Sequence, residues 1–345
     1  MNIVVLAGGA SPERWVSLSS GSQIANALLE RGHRVLLLDL YEGIPELPPD
    51  PASLFLRGET RYAVPTVPRE KTPGGAASVP AGRPLIGPNV LRLCGLAHGV
   101  FLALHGSIGE NGLLQATLEC HGIPYTGSDA VGSMLAMDKD LSKRLFRQAG
   151  IPTPPWRMAD AGLSASAVAS RVGFPCVVKP TGCGSSVGIA LVRSAEAWDE
   201  AFANAAAWGS PVMAEGYVSG RELTVGILNG KALPVVEIRP REGFYDYQNK
   251  YDGSAEELCP APIPPVIAAR ATAFALRGFA ALRLRGYARF DFLMDHTEGL
   301  WCLEANTLPG MTPTSLFPRA AAAAGISYGA LCQAMLEASG IREGQ

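Results

Sequence analysis

The chain of 345 residues carries 29 Lys plus Arg against 31 Asp plus Glu, a formal net charge of −2, and 48% of it is hydrophobic. That length suffices for two or three structural units with sizeable cores, and the near-neutral balance excludes the strongly basic field on which nucleic-acid binding draws. No apolar run reaches membrane-spanning length, and the start MNIVVLAGG lacks the n-region and longer h-region of a signal peptide, so a cytoplasmic location without membrane attachment is expected.

In chain order, NIVVLA reads as a strand, SLSSGSQIANALLERG as a helix and HRVLLLDL as a second strand. This is a strand–helix–strand unit of a parallel sheet, joined by the Gly-containing turn GGASPER. From about Tyr41 to Pro88, proline and small residues dominate without helical or alternating pattern, which predicts mostly loop. GVFLALHG restores a strand, LLQATLECHG a helix, and MDKDLSKRLFRQAG a polar helix that stops at Gly150 with Pro152 just beyond. FPCVVKP, IALV and PVMAEGY then read as strands around the glycine loop GCGSSVG and the helix EAWDEAFANAAAW, forming a small α+β lobe. ELTVGIL and KALPVVEI follow as strands, then a Pro-bounded irregular segment and an Ala-rich helix from about 264 to 284. The strands YARFDFLM and GLWCLEAN and an Ala-rich helix near 318–339 close the chain.

Side chains two apart on a strand share a face, so Arg289 and Asp291 point one way while Phe290 and Phe292 point the other. Glu304 and Asn306 have the same spacing on the next strand, and the short polar turn DHTEG suits an antiparallel hairpin. A symmetric turn sets Asp291 opposite Glu304 and Arg289 opposite Asn306. Two facing carboxylates repel, and a cation makes the arrangement favourable. Oxygen ligands with an amide carbonyl suit magnesium or manganese, which also bind phosphates. A salt bridge from Arg289 to one carboxylate is the competing reading of the same residues. The seven cysteines contain no CxxC pair and the five histidines no HExxH, so the sequence supplies no pattern for structural zinc or a disulfide framework.

A phosphate-bearing ligand needs a cradle. In TGCGSSVG the glycines free backbone N–H groups, and Ser185 and Ser186 add hydroxyls, although such a loop is also an ordinary turn. It is not a Walker A loop, because Lys179 precedes the glycines instead of following them. Lys139 and Lys179 are candidate phosphate contacts, with solvated surface lysines as the plainer alternative. Glu215 and Glu222 flank a turn and suit an adenine amino group and a ribose hydroxyl, or are ordinary exposed glutamates.

Taken together, GGASPERWVSLSSG, LHGSIGENGLLQATLECHGIPYTGSDAVGSMLAMDK, VVKPTGCGSSVG, GFYDYQNKY followed by CPA, RFDF and LEANTLPGMTPTSLFP resemble the signature segments of ATP-grasp carboxylate–amine ligases. Within them the resemblance is to the D-alanine:D-alanine ligases, in the same order along nearly the whole chain. It implies an α/β fold with α+β lobes: an N-terminal substrate-binding domain over 1–138, a central ATP-grasp lobe over 139–218, and a C-terminal ATP-grasp domain with metal site and lid over 219–345. It also implies ATP-dependent ligation of two D-alanines through an acyl phosphate for peptidoglycan precursor synthesis, and a homodimer.

Carried over by position, the resemblance assigns Lys139, Lys179, Ser186, Glu215, Glu222 and Lys250 to ATP, with Gly216, Tyr217 and Val218 lining the adenine pocket. Asp291, Glu304 and Asn306 would hold two Mg2+ or Mn2+ ions. Glu13, His105, Arg289, Ser185, Tyr251, Gly310, Ser315 and Leu316 would surround the amino acids. Glu13 would orient the first substrate's ammonium, Arg289 and the Gly310 N–H would stabilise the oxyanion, and a Ser185–Tyr251 relay would help deprotonate the incoming amine. GFYDYQNKYDGSAEEL would close as a lid.

Three departures stand out. Trp15 occupies a position that is often acidic in the family, which would alter the amino-acid pocket, Asn111 one where Asp is common, and the segment between Tyr251 and CPA is slightly short. The Lys250–Tyr251 pair goes with a dipeptide product, leaving a D-alanine:D-serine or D-alanine:D-lactate ligase as the nearest alternative. A nucleotide-binding dehydrogenase is remote, because GGASPER lacks GxGxxG. A catalytically silent nucleotide sensor is opposed by the intact metal and phosphate residues.

Overall fold

The computed structural model describes residues 1–67, 82–160, 162–182, 188–209, 211–239 and 256–342. Strands β1 (Asn2–Ala7), β2 (Arg34–Asp39) and β3 (Gly99–Leu102) form a parallel sheet in the order β2-β1-β3. Ile3, Val4, Val5 and Leu6 are all fully buried, the continuous apolar run of a central parallel strand covered on both faces. Helix α1 (Arg14–Glu30) makes the crossover. It approaches β1 so closely that a Cβ on Gly21 would stand 2.5 Å from the Cβ of Ala7. The described part of the proline-rich stretch holds one short 3-10 turn, Pro51–Leu54. Leu56 bridges to Val35 there, and the Tyr62 hydroxyl donates to the Val35 carbonyl, so the loop covers the edge of β2.

A four-stranded antiparallel sheet follows, in the order β4-β7-β5-β6, from β4 (Trp156–Ala159), β5 (Cys176–Pro180), β6 (Ala190–Val192) and β7 (Val212–Gly216). Cys176, Val178, Val212 and Ala214 pack with Val168 and Trp198 in one core. Alternation therefore turns Val177, Lys179, Met213 and Glu215 to the opposite face.

The third sheet runs β11-β10-β8-β12-β13, with β9 paired to β8. Its strands are β8 (Gly220–Leu228), β9 (Lys231–Ala232), β10 (Val236–Arg239), β11 (Glu256–Leu258), β12 (Tyr287–Asp295) and β13 (Leu300–Asn306). Phe290 and Phe292 are fully buried in a core with Leu223, Val225 and Ile227, which leaves Arg289, Asp291, Thr224 and Glu222 on the other face. The long helix α8 (Pro265–Ala281) closes that core, and a Cβ on Gly278 would stand 2.6 Å from the Phe290 ring.

A short helix, α2 (Val90–Cys94), precedes β3, and three more, α3 (Leu113–Cys120), α4 (Ala130–Met137) and α5 (Lys139–Gln148), connect the first and second sheets. Two more, α6 (Ala165–Arg171) and α7 (Trp198–Ala206), cover the second. Helix α5 buries Phe146 in the core of the six-stranded sheet, not of the four-stranded one.

Two expected elements are divided. Pro234 interrupts KALPVVEI, which becomes β9 and β10. The closing Ala-rich helix becomes α9 (Leu316–Ala323) and α10 (Tyr328–Ala338). There Gly325 takes φ +79 and the Ser327 hydroxyl accepts from the Ala330 N–H to begin the second helix, a break that alanine content hides.

Candidate active site

Strands β12 and β13 pair antiparallel with Arg289 opposite Asn306 and Asp291 opposite Glu304, the pairing that strand alternation predicts; a register shift follows Asp291. Arg289 lies along Asp291, donating Nε–H to Oδ1 and Nη2–H to Oδ2, both at 2.9 Å. The Thr224 hydroxyl donates to Asp291 Oδ1 at 2.6 Å. Lys139, buried at the first position of α5, sets Nζ 3.3 Å from Glu304 Oε2. The Arg289–Asp291 salt bridge of the competing reading is thus present, and Lys139 pairs with the facing carboxylate.

Asn306 Oδ1 is buried without a hydrogen-bond partner among the described residues. An orphaned amide oxygen beside two carboxylates is a donor set that fits a hard divalent ion. No group of three or more His, Cys, Asp or Glu side chains placed to hold a metal occurs among the described residues, so the fit depends on Asn306 joining Asp291 and Glu304.

This wall borders a cavity of about 710 Å³ that also takes in Glu13, His105, Glu110, Lys139, Glu222, Gly310, Ser315 and Leu316. Glu13 stands at the N-cap position of α1, without a side-chain cap bond, and is 8% exposed; Gly106 abuts it, a Cβ there standing 3.2 Å from Oε2. The His105 Nδ1–H donates to the Leu308 carbonyl at 3.1 Å, while Nε2 is buried and unpartnered among the described residues. Burial lowers the His105 pKa against the opposing charge of Glu13. The imidazole is therefore neutral, with its acceptor nitrogen at Nε2.

Ser315 begins α9 without a side-chain cap bond, and its hydroxyl lies 2.7 Å from that of Thr312. A Cβ on Gly310 would stand 3.1 Å from the Ser315 hydroxyl oxygen, so a larger residue would crowd this corner.

A second group lies on the four-stranded sheet. Glu215 on β7 is 3% exposed and receives Lys179 Nζ at 2.6 Å on Oε2 and Lys143 on Oε1. Burial alone would raise its pKa, but Lys143 and then Lys179 outweigh it and hold the carboxyl below its usual range. Gly216 donates its N–H to the Pro155 carbonyl and Tyr217 to that of Pro175, which sets Tyr217 and Val218 just beyond β7, partly exposed. None of these residues lines the cavity of the first group. Lys139 joins the two, because Nζ also donates to the Thr181 carbonyl at 3.4 Å, at the end of β5.

Ser185, Ser186, Lys250, Tyr251 and most of the expected lid lie outside the described residues; its end, Glu256–Leu258, is the edge strand β11. Trp15 is 48% exposed and is not among the residues lining the cavity. Asn111 accepts the Leu113 N–H at the start of α3.

Sequence reasoning missed Glu110 and Lys143. Burial first, then the charge of Glu13, pushes the Glu110 pKa up to about 7, and its Oε2 accepts the Gly106 N–H at 2.6 Å. Its signal is the glutamate in HGSIGE, five residues after His105. The signal of Lys143 is its i+4 spacing from Lys139.

Family models described as D-ala D-ala ligase N-terminus and D-ala D-ala ligase C-terminus match residues 2–128 and 145–337. A D-alanine--D-alanine ligase of Synechococcus sp. (strain JA-3-3Ab) is 41% identical over 341 residues, covering 98% of this chain and 93% of the relative. That of Methylacidiphilum infernorum (isolate V4) is 38% identical over 344 residues, 99% and 96% of the two chains. The crystal structure of the Bacillus anthracis D-alanine--D-alanine ligase complexed with ATP superposes with a TM-score of 0.76 at 31% identity, over 98% of this chain and 96% of that one.

Proposed function

Because this chain belongs to the D-alanine–D-alanine ligase family and has its ATP-grasp fold, we propose that it ligates two D-alanines with ATP, forming ADP, for peptidoglycan precursor synthesis. The observation that carries this reading is the gathering of Glu13, His105, Arg289, Gly310 and Ser315 around the same cavity as Asp291, Glu304 and Asn306.

A carboxylate is a poor electrophile, so the first D-alanine takes the γ-phosphoryl group and becomes an acyl phosphate. Glu13, held at the mouth of α1, receives that substrate's ammonium. Neutral His105 offers Nε2 as an acceptor beside it. Lys139 and Lys179 meet the phosphates, with Ser186 and Lys250 beside them, and Glu215, Glu222, Gly216, Tyr217 and Val218 hold the nucleoside. Asp291, Glu304 and Asn306 would hold two Mg2+ or Mn2+ ions, which offset phosphate charge.

The second D-alanine attacks through its amine, and the oxyanion that develops faces the Arg289 guanidinium and the Gly310 N–H. Ser315 and Leu316 border the second amino acid. The Ser185–Tyr251 relay takes the amine proton, and the segment 243–258 shields the acyl phosphate from water. By the same resemblance the chain works as a cytoplasmic homodimer; among the described residues no helix is long and apolar enough to cross a membrane.

The test is a panel of amino acids read by phosphate release and product mass. D-alanine alone is expected to give ADP, phosphate and D-alanyl-D-alanine, and adding D-serine or D-lactate no mixed product in excess of it. Absence of D-alanine-dependent phosphate release would refute the reading.

A further inference from the structure

The proposed nucleotide contacts leave one charged group without a role. Lys143 is fully buried, yet it does not line the active-site cavity. Its ammonium forms an ion pair with Glu215 Oε1 and donates to the Thr153 hydroxyl, and the Trp156 ring covers it with the centroid 5.4 Å away. Asp138 caps α5 by accepting the Asp140 and Leu141 N–H groups, which pins the start of the helix that carries both Lys139 and Lys143. Among the described residues Lys143 lines no part of the active-site cavity, and its charged partner is one carboxylate.

That carboxylate has a second cation on its other oxygen. Lys179 Nζ stands 2.6 Å from Glu215 Oε2, from a position diagonal to it across the β5–β7 pair. Lys179 is also the last charged residue before the glycine loop. A lysine that turns its ammonium toward phosphates gives up part or all of its contact with Glu215, and a buried carboxylate that loses its only counterion is strongly destabilised. With two cations on Glu215, one can depart.

We propose that Lys143 is the resident counterion of Glu215, keeping it ionised and in place so that Lys179 is released to the nucleotide phosphates. Lys143 is a positioning residue for nucleotide binding that acts through Glu215, and the inference rests on the nucleotide reading of Lys179 and Glu215.

A double-mutant cycle on the full chain, read by calorimetric titration with MgADP, tests it. In the parent, Lys143→Gln detains Lys179 on Glu215 and is expected to weaken MgADP binding by about tenfold or more, with the KM for D-alanine moving less than about twofold. In the Glu215→Gln background there is no carboxylate to neutralise, and the same substitution should cost less than about twofold. Binding by Lys143→Gln within twofold of the parent overturns the proposal. So does an equal tenfold loss in both backgrounds, which is what a purely structural lysine gives.

If Lys143→Gln alone does not fold, the two Glu215→Gln proteins still decide, because a tenfold gap between them contradicts the idea. The underlying reading fails separately: Lys179→Gln would then bind MgADP as the parent does.

Discussion

Glu304 and Glu110 are both acidic residues on the cavity, but their surroundings differ. Glu304 has Lys139 at 3.3 Å and faces Asp291 across the hairpin. Glu304→Gln keeps the shape and removes the charge, so ligation is expected to fall by about 10²-fold or more, as for loss of a group that stabilises developing charge. Thermal unfolding should stay close to the parent's. Near-parental turnover at ordinary magnesium, read by phosphate release, would sink the metal assignment.

Glu110 instead is buried with a pKa pushed up to about 7, from burial first and from Glu13 second. A carboxyl raised in the folded state binds more protons folded than unfolded. Between its ordinary value and about 7 the ligand-free protein therefore loses stability as pH rises, and above that the loss is constant. The full effect is on the order of 3 kcal/mol at 1.36 kcal/mol per unit. Glu110→Gln is expected to melt higher than the parent at pH 8, and the difference should shrink steadily toward pH 4.5. A difference independent of pH would show that Glu110 is not the titrating group.

At the level of elements, close packing sets the consequences of small changes. Gly21 sits in the interior of α1, where alanine is intrinsically better by about 1 kcal/mol. A methyl there would meet the Ala7 Cβ at 2.5 Å and Leu37 Cδ1 at 3.2 Å. Overpacking against a central parallel strand typically costs about 1–3 kcal/mol, so crowding outweighs helix propensity and Gly21→Ala should lower the urea midpoint. A raised midpoint would mean that α1 can shift outward freely.

The same contrast between local pattern and packing explains what could be read in advance. The faces of the β12–β13 hairpin were legible, since period-two alternation puts Phe290 and Phe292 in the core and Asp291 and Glu304 on the working face; the register shift after Asp291 was not. The split of the last helix was not. Its signal, Gly325 followed by Ser327, is a two-residue break inside an alanine run whose propensity favours continuity. Glu110 and Lys143 were missed for a different reason. HGSIGE and the i+4 spacing from Lys139 mark their positions, but their character comes from burial and from partners distant in sequence, Glu13 for one and Glu215 for the other.

Over the whole molecule, the cavity is built where the units meet. The parallel sheet contributes Glu13, His105 and Glu110 from the loops beyond its strands and the six-stranded sheet contributes the acidic wall, while Lys179 and Glu215, on the face of the four-stranded sheet turned away from its helices, lie outside the lining. The first sheet and helices α9 and α10 share one core, with Phe317, Leu331 and Leu336 packed among its residues. The N-terminal strands and the chain's last helices are thus one structural body.

The four-stranded sheet has a core of its own, and Lys139 reaches across to it, touching the Thr181 carbonyl on one side and Glu304 on the other. Lys139→Ala removes that tie together with a positive charge at the proposed phosphate site. Two readouts should therefore move together. The kcat/KM for ATP is expected to fall by about 10²-fold, near 2.7 kcal/mol, with the KM for D-alanine little changed. Amide exchange in β5 and β7 of the ligand-free protein should accelerate, because the seam loses a contact that orders the sheet's edge toward the cavity. A loss of ATP efficiency with unaltered exchange would assign Lys139 to phosphate binding alone, and faster exchange with normal kinetics would make it a structural tie.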